Sequence, residues 1–91
     1  MNFEICNGFT KRVELSDEHH AYIYSHWTHV KVTRAMAERM VPEPVKYKPS
    51  KGYPRIRKWI DSNIQGHWAS HIHLFFFEDP KDATYFLLKW S

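Results

Sequence analysis

The most constraining feature of this sequence is a strand-length apolar run, Leu74–Phe77, which is followed by Asp79 and Pro80. The run belongs to a segment, 71–78, whose two alternating faces are both apolar toward its end, as is typical of a central strand covered on both sides. Asp79 suits the N-cap of a helix, and Pro80 suits its first turn. We therefore predict a strand at 71–78 and a helix at 80–90. An apolar stripe at helical spacing supports that helix: Ala83, Phe86, Leu87 and Trp90.

The segment 16–40 supports two interpretations. Ser16 suits an N-cap, and acidic residues follow it in the first turn, where the helix dipole favours them. We predict a helix over 16–40, in which one stripe is largely apolar: Tyr22, Ile23, Trp27, Val30, Ala37 and Met40. The alternative stays open, because residues 22–33 are rich in β-branched and aromatic side chains, which favour a strand. In that case Thr33 would cap a short helix at Arg34–Met40.

The N-terminal segment, 2–14, alternates loosely and contains Asn7-Gly8, which is typical of the turn of a β-hairpin. A two-residue loop would place Ile5 opposite Thr10. The apolar faces of the two strands would then match poorly, so a different register or a longer turn is the alternative.

The segment 41–53 contains three prolines and one glycine, which predicts an internal loop rich in proline and lysine. Pro54 suits the first position of a helix, and Gly66 suits its end or the connecting turn. We therefore predict a helix at 54–64. Four apolar residues recur there at helical spacing: Ile56, Trp59, Ile60 and Ile64.

These elements predict a single α+β domain over residues 1–91. Its small sheet would contain the N-terminal hairpin and the strand 71–78, and two or three helices would pack against it: 16–40, 54–64 and 80–90. Hydrophobic residues make up 43% of the chain and aromatic residues 16%, which suffices for a core and argues against disorder.

The cysteine content and the apolar runs indicate a compartment. Cys6 is the one cysteine, so the chain can form no internal disulfide of the kind that small secreted domains usually need. The N-terminus lacks the apolar core of a signal peptide, and no run reaches the roughly 18 apolar residues of a membrane span. We therefore expect a cytoplasmic protein without a membrane partner.

A cluster of cationic residues interleaved with tyrosines suggests a binding surface. We call it the basic face, and its members are Lys46, Tyr47, Lys48, Lys51, Tyr53, Arg55, Arg57 and Lys58. Cationic groups can engage phosphates while aromatic rings stack on exposed bases. With a net charge of +3, the chain suits a nucleic acid or an acidic protein as its partner. The alternative interpretation is a solvated loop followed by the outer face of an amphipathic helix.

The end of the chain resembles a viral family. An aromatic strand and an acidic turn precede five matching positions: Asp82-Ala83, Phe86, Leu88, Lys89 and Trp90. This pattern resembles the ending of small uncharacterised proteins of tailed phages, and Trp59 with Asn63-Ile64 and Gly66 is similar more weakly. The resemblance covers about the last third of the chain. It implies a viral origin and expression in a host cytoplasm, as an accessory factor, and it supplies no activity.

The histidines suggest an enzymatic alternative. The chain has seven, and His71 and His73 would lie on one face of the predicted strand, about 7 Å apart, where they can share a divalent metal with a third ligand. The pattern His71-Ile72-His73 resembles the metal motif of rolling-circle nickases, and Tyr85 with Lys89 resembles their tyrosine element. The tyrosine follows the histidines by only 12 residues, however, and the helical periodicity turns it away from the predicted core stripe.

The function predicted from the sequence is that of a non-enzymatic viral accessory protein. It would bind a host or viral macromolecule, either nucleic acid or an acidic protein surface, through the basic face, without a cofactor. Two alternatives stay open: a small metal-dependent nuclease or nickase that uses His71 and His73, and a structural or assembly component of a virion.

Overall fold

The computed structural model describes residues 3–33, 35–36 and 54–90. Within them the fold is α+β, which confirms the predicted class. A three-stranded antiparallel sheet is packed by helices. The elements in chain order are α1 (Asp17–His26), β1 (Thr28–Lys31), α2 (Pro54–Asn63), β2 (Trp68–His71), β3 (Leu74–Phe77) and α3 (Pro80–Trp90).

β3 is the central strand, as its two apolar faces predicted. It pairs antiparallel with β1 on one side and with β2 on the other. Phe75 and Phe77 enter a core on one face of the sheet, while Phe76 enters a second core on the opposite face. All three side chains are almost completely buried. Burial of side chains of this kind contributes roughly 1.5–3 kcal/mol each to stability, so the aromatic run anchors both layers.

The single strand predicted at 71–78 is wrong, because the chain reverses within it. His71 ends β2 and pairs with Leu74, the first residue of β3. Ile72 and His73 form the turn between the two strands, and Ile72 has a φ of 53°, in the left-handed region. Turn signals usually include glycine, asparagine or aspartate, and a β-branched residue in this conformation is uncommon, which is why the sequence pattern hid the turn.

The single helix predicted over 16–40 is also wrong beyond His26. α1 follows Ser16, its predicted N-cap, but at Trp27 the backbone becomes extended and continues into β1. The open alternative of a strand within 22–33 is therefore confirmed for Thr28–Lys31. Pairing with the central strand outweighs the helical periodicity here, because it satisfies the backbone of both strands. The Thr33 hydroxyl also accepts a hydrogen bond from the Met36 N–H (3.2 Å), as the alternative required.

The predicted N-terminal hairpin forms with the longer connection. The Phe9 N–H donates to the Cys6 carbonyl around the Asn7-Gly8 turn, where Gly8 has a φ of 89° that suits glycine. Ile5 bridges Val13 instead of Thr10, so the two-residue loop is wrong. This register removes the mismatch between the apolar faces.

The returning arm of the hairpin lies parallel to β2. The Val13 N–H donates to the Trp68 carbonyl (2.7 Å), and the Trp68 N–H donates to the Lys11 carbonyl (3.1 Å). Arg12, which lies between Lys11 and Val13 in the chain, is therefore paired with Trp68 in a parallel bridge. The hairpin therefore lies against the edge of β2 through a single bridge, outside the three strands of the sheet.

The helices cover both faces of the sheet. α2 and α3 pack on the face of Phe75 and Phe77, while Ile23 and Trp27 at the end of α1 cover Phe76. The helices predicted at 54–64 and 80–90 are confirmed with nearly the same bounds. The predicted loop at 41–53 lies outside the described residues.

Candidate functional site

Most of the basic face lies outside the described residues: Lys46, Tyr47, Lys48, Lys51 and Tyr53, together with the side chain of Arg55. Its other two members lie on α2, where Arg57 is half-buried and Lys58 is exposed. The described part of the basic face is therefore the surface of α2 around Arg57.

Arg12 is the residue that the sequence analysis missed. Its guanidinium carbon lies 5.2 Å from the ring centroid of Phe9 and 5.6 Å from that of Trp68. These are cation–π distances, and two rings in contact with one guanidinium restrict its position. Arg12 is therefore a half-buried cation supported by aromatic side chains from the hairpin and from β2.

The Arg12 side chain has no polar partner within the described ranges. Its Nε atom is buried without a hydrogen bond, and no carboxylate there forms an ion pair with it. A guanidinium carries five N–H donors, so Arg12 retains most of its capacity to bind an anion. The aromatic rings hold the cation in place without consuming that capacity.

Arg57 lies close enough to Arg12 for the two positive charges to interact, and we call these two residues the arginine pair. Burial, and after it the positive charge of Arg12, lower the pKa of Arg57 from its ordinary value. Both effects disfavour a charged guanidinium, yet an arginine stays protonated at neutral pH. The two guanidinium groups therefore add positive potential to the same region of the surface.

Asp61 is a carboxylate on α2 at the place where the hairpin and β2 approach this helix. The acceptor positions of its two carboxylate oxygens are already occupied. Its two oxygens accept hydrogen bonds from the Thr10 N–H and hydroxyl (both 2.8 Å), from the Lys11 N–H (2.8 Å) and from the indole N–H of Trp68 (3.0 Å). The Lys11 ammonium donates to the Asp61 carbonyl (2.9 Å). These contacts fasten the hairpin to α2 and β2, and thereby fix the position of the neighbouring Arg12.

The protonation of Asp61 reflects this arrangement. Burial by itself would raise the pKa of the carboxyl, but the hydrogen bonds from Thr10, Trp68 and Lys11 outweigh it and lower the pKa overall. The carboxylate is therefore charged at neutral pH and is satisfied by dipoles instead of by a cation. It is a positioning group for the arginine pair.

Sequence reasoning could have noticed Lys11-Arg12, but it had no means of placing it next to α2. Two cations beside a hairpin turn are ordinary in a sequence. Their proximity to Arg57 depends on the parallel bridge to β2 and on the hydrogen bonds of Asp61, which join positions about 50 residues apart. The position of Arg12 beside α2 therefore depends on tertiary contacts, which the sequence pattern does not show.

The two predicted metal ligands do not share one strand face. His71 is the exposed last residue of β2, and His73 lies in the turn and is half-buried. No group of three or more histidine, cysteine, aspartate or glutamate side chains suited to a metal occurs among the described residues. Tyr85 contacts Trp59 on α2, with ring centroids 5.5 Å apart, and thus lies in the helical layer. A metal site at His71 and His73 stays a prediction.

Comparisons of this chain with protein-family models, with curated proteins and with solved structures find no significant match. Within the part of the chain that the structure describes, each helix is too short or too polar to cross a bilayer. The geometry around Arg12 is therefore the basis on which a function is proposed.

Proposed function

We propose that this chain is a non-enzymatic accessory protein that binds an anionic macromolecule, either nucleic acid or an acidic protein surface. The binding surface combines the basic face with Arg12. One observation supports this most directly: Arg12 lies half-buried on two aromatic rings, and no carboxylate in the described ranges forms an ion pair with Arg12.

The arrangement favours binding because it is formed in advance. Phe9 and Trp68 restrict the guanidinium of Arg12 before a partner arrives, so less conformational freedom is lost on association. Lys58 is exposed one residue after Arg57 and adds a further positive charge. An anion at this surface gains charge-assisted hydrogen bonds from Arg12.

The viral part of the proposal comes from the C-terminal pattern. The resemblance of residues 75–90 to the ends of small tailed-phage proteins suggests a partner in a host cytoplasm or among viral components. An accessory protein that binds such a partner needs a specific surface and no reactive group.

A triple variant tests the surface. Replacement of Arg55, Arg57 and Lys58 by alanine should weaken binding to a fluorescent oligonucleotide, to heparin or to polyglutamate, whichever the wild-type chain binds at low salt. Because each lost phosphate contact makes the negative slope of log K against log salt shallower by about 0.9, the slope should become less negative by about 2–3 units for a nucleic acid.

The matched control removes the same charge from elsewhere. Lys31, Lys81 and Lys89 are exposed on β1 and α3, and a triple alanine variant of these three also lowers the net charge by three. It should retain affinity within about threefold. Equal losses in both variants would show a non-specific charge effect, and wild-type binding to none of the three polyanions would refute the proposal.

A further inference from the structure

The surroundings of Arg12 contain two features that together distinguish between anionic partners. One is a guanidinium whose donors are not used by the described part of the chain. The other is Phe9, a half-buried aromatic residue packed against the core, with the Arg12 guanidinium over its ring at 5.2 Å and Trp68 edge-on at 5.7 Å, so that part of the ring stays exposed. A partner that fits this place needs an anionic oxygen and a flat apolar group within a few ångströms of each other.

An acidic peptide provides only the first of these. Its carboxylates can pair with arginine, but aspartate and glutamate side chains have no ring to place on Phe9. In a nucleotide, by contrast, a phosphate and a base are covalently linked at about that separation. A base inside a duplex is stacked and paired, so only an unpaired base can lie on an aromatic side chain.

We infer that Arg12 binds a backbone phosphate of a single-stranded nucleic acid, and that the part of the Phe9 ring left exposed supports the adjacent unpaired base. This inference rests on the proposed function and names its partner. The planar fork of Arg12 donates to the two non-bridging oxygens of one phosphate, a geometry that a lysine ammonium cannot reproduce. Arg57 adds a second positive charge to the surface near this phosphate.

This arrangement would bind a single strand independently of its nucleotide sequence. Phosphate contacts and stacking on Phe9 use groups that every nucleotide has. The contacts come from the N-terminal hairpin and from α2, which Asp61 holds together. The hairpin and α2 therefore contribute to one surface around Arg12, although they are distant in the sequence.

The test uses fluorescence anisotropy at low salt with four probes. They are a short single-stranded oligonucleotide, the same strand as a duplex, the same sequence with a neutral methylphosphonate backbone, and a polyglutamate peptide. The single strand should bind at least tenfold more tightly than the neutral strand and several-fold more tightly than the duplex. It should also bind more tightly than polyglutamate.

Two charge-conserving variants separate the guanidinium from simple positive charge. Arg12→Lys should weaken binding of the single strand about tenfold, and Phe9→Leu should weaken it about threefold with little change in the salt slope. The control Lys81→Arg, at an exposed site on α3, should bind as the wild type does. Circular dichroism and urea unfolding of each variant show that affinity is compared between folded proteins.

The outcomes separate this inference from the proposed function. If polyglutamate binds tightly and the oligonucleotides do not, the inference is wrong and the anionic-partner proposal stands. The inference also fails if single strand and duplex bind equally, or if Arg12→Lys retains full affinity. If no probe binds, both proposals fail.

Discussion

Two charged side chains, Asp61 and Arg12, lie where the hairpin, α2 and β2 come together, and they differ in whether the chain satisfies their polar atoms. Asp61 is almost buried, and four hydrogen bonds reach its two carboxylate oxygens. Arg12 contacts Trp68 as well, but through its ring face, and it donates no hydrogen bond to a described residue. A charge that is fully satisfied inside the chain stabilises the fold, whereas a charge that is fixed but unsatisfied is available to a partner. We therefore expect changes at Asp61 to affect stability and changes at Arg12 to affect binding.

The largest effect should follow Asp61→Asn. The amide replaces one acceptor oxygen by an NH₂ group, which then faces two donors of the hairpin or of Trp68. Since buried donors without acceptors are costly, the free energy of unfolding should fall by about 2–4 kcal/mol. Urea denaturation measures this fall. The exposed Asp17→Asn, in the first turn of α1, is the control and should lose less than about 1 kcal/mol. Equal losses at both positions would contradict the structural role of Asp61.

Acid should act on the same group. The pKa of Asp61 is lower in the folded chain than in the unfolded chain, so the unfolded chain takes up the proton first as the pH falls. The stability that Asp61 contributes is therefore complete above about pH 5 and is lost as the pH falls below about 4, through the folded pKa. Urea midpoints of the wild type measured from pH 7 downward should show this loss. In Asp61→Asn the decline over the same range should be smaller, and an identical decline would assign it to other carboxyls.

Trp68→Phe sharpens the comparison because Trp68 contacts both charges. The substitution removes the indole N–H that reaches Asp61 and leaves a small cavity, so it should destabilise the fold by about 1.5–3 kcal/mol. The phenyl ring still supports Arg12, and affinity for a polyanion should change by less than about threefold. Unfolding in urea and anisotropy titration of the folded variant measure the two quantities. A large loss of affinity at unchanged stability would reverse the assignment.

The smallest effect on stability should follow Arg12→Gln. Only cation–π contacts of about 0.5–1 kcal/mol each are lost, and the repulsion on Arg57 is removed at the same time. The urea midpoint should therefore stay close to that of the wild type, while affinity for the anionic partner falls at least tenfold. If Arg12→Gln unfolds the chain as readily as Asp61→Asn does, the two charges have the same role and the comparison fails.

The elements that could be predicted from the sequence are those whose signals are local. α3 follows from an N-cap, a proline and an apolar stripe within a dozen residues, and Asp79 indeed accepts a hydrogen bond from the Lys81 N–H (2.9 Å). α2 follows from Pro54 and its stripe in the same way. Where a segment satisfied two periodicities, as at 22–33, the sequence left both alternatives open, because only a partner strand decides between them.

By itself, the sequence determined the α+β class, the central position of the aromatic strand, and the two helices that precede β2 and follow β3 in the chain. These follow from apolar pattern and capping residues, which act over a few positions of the chain. Only the tertiary structure decided that α1 stops at His26, that the chain turns at Ile72, and that Arg12 lies beside Arg57. Each of these depends on hydrogen bonds or charges between distant residues, and the free energy of such contacts exists only once the chain has brought those residues together.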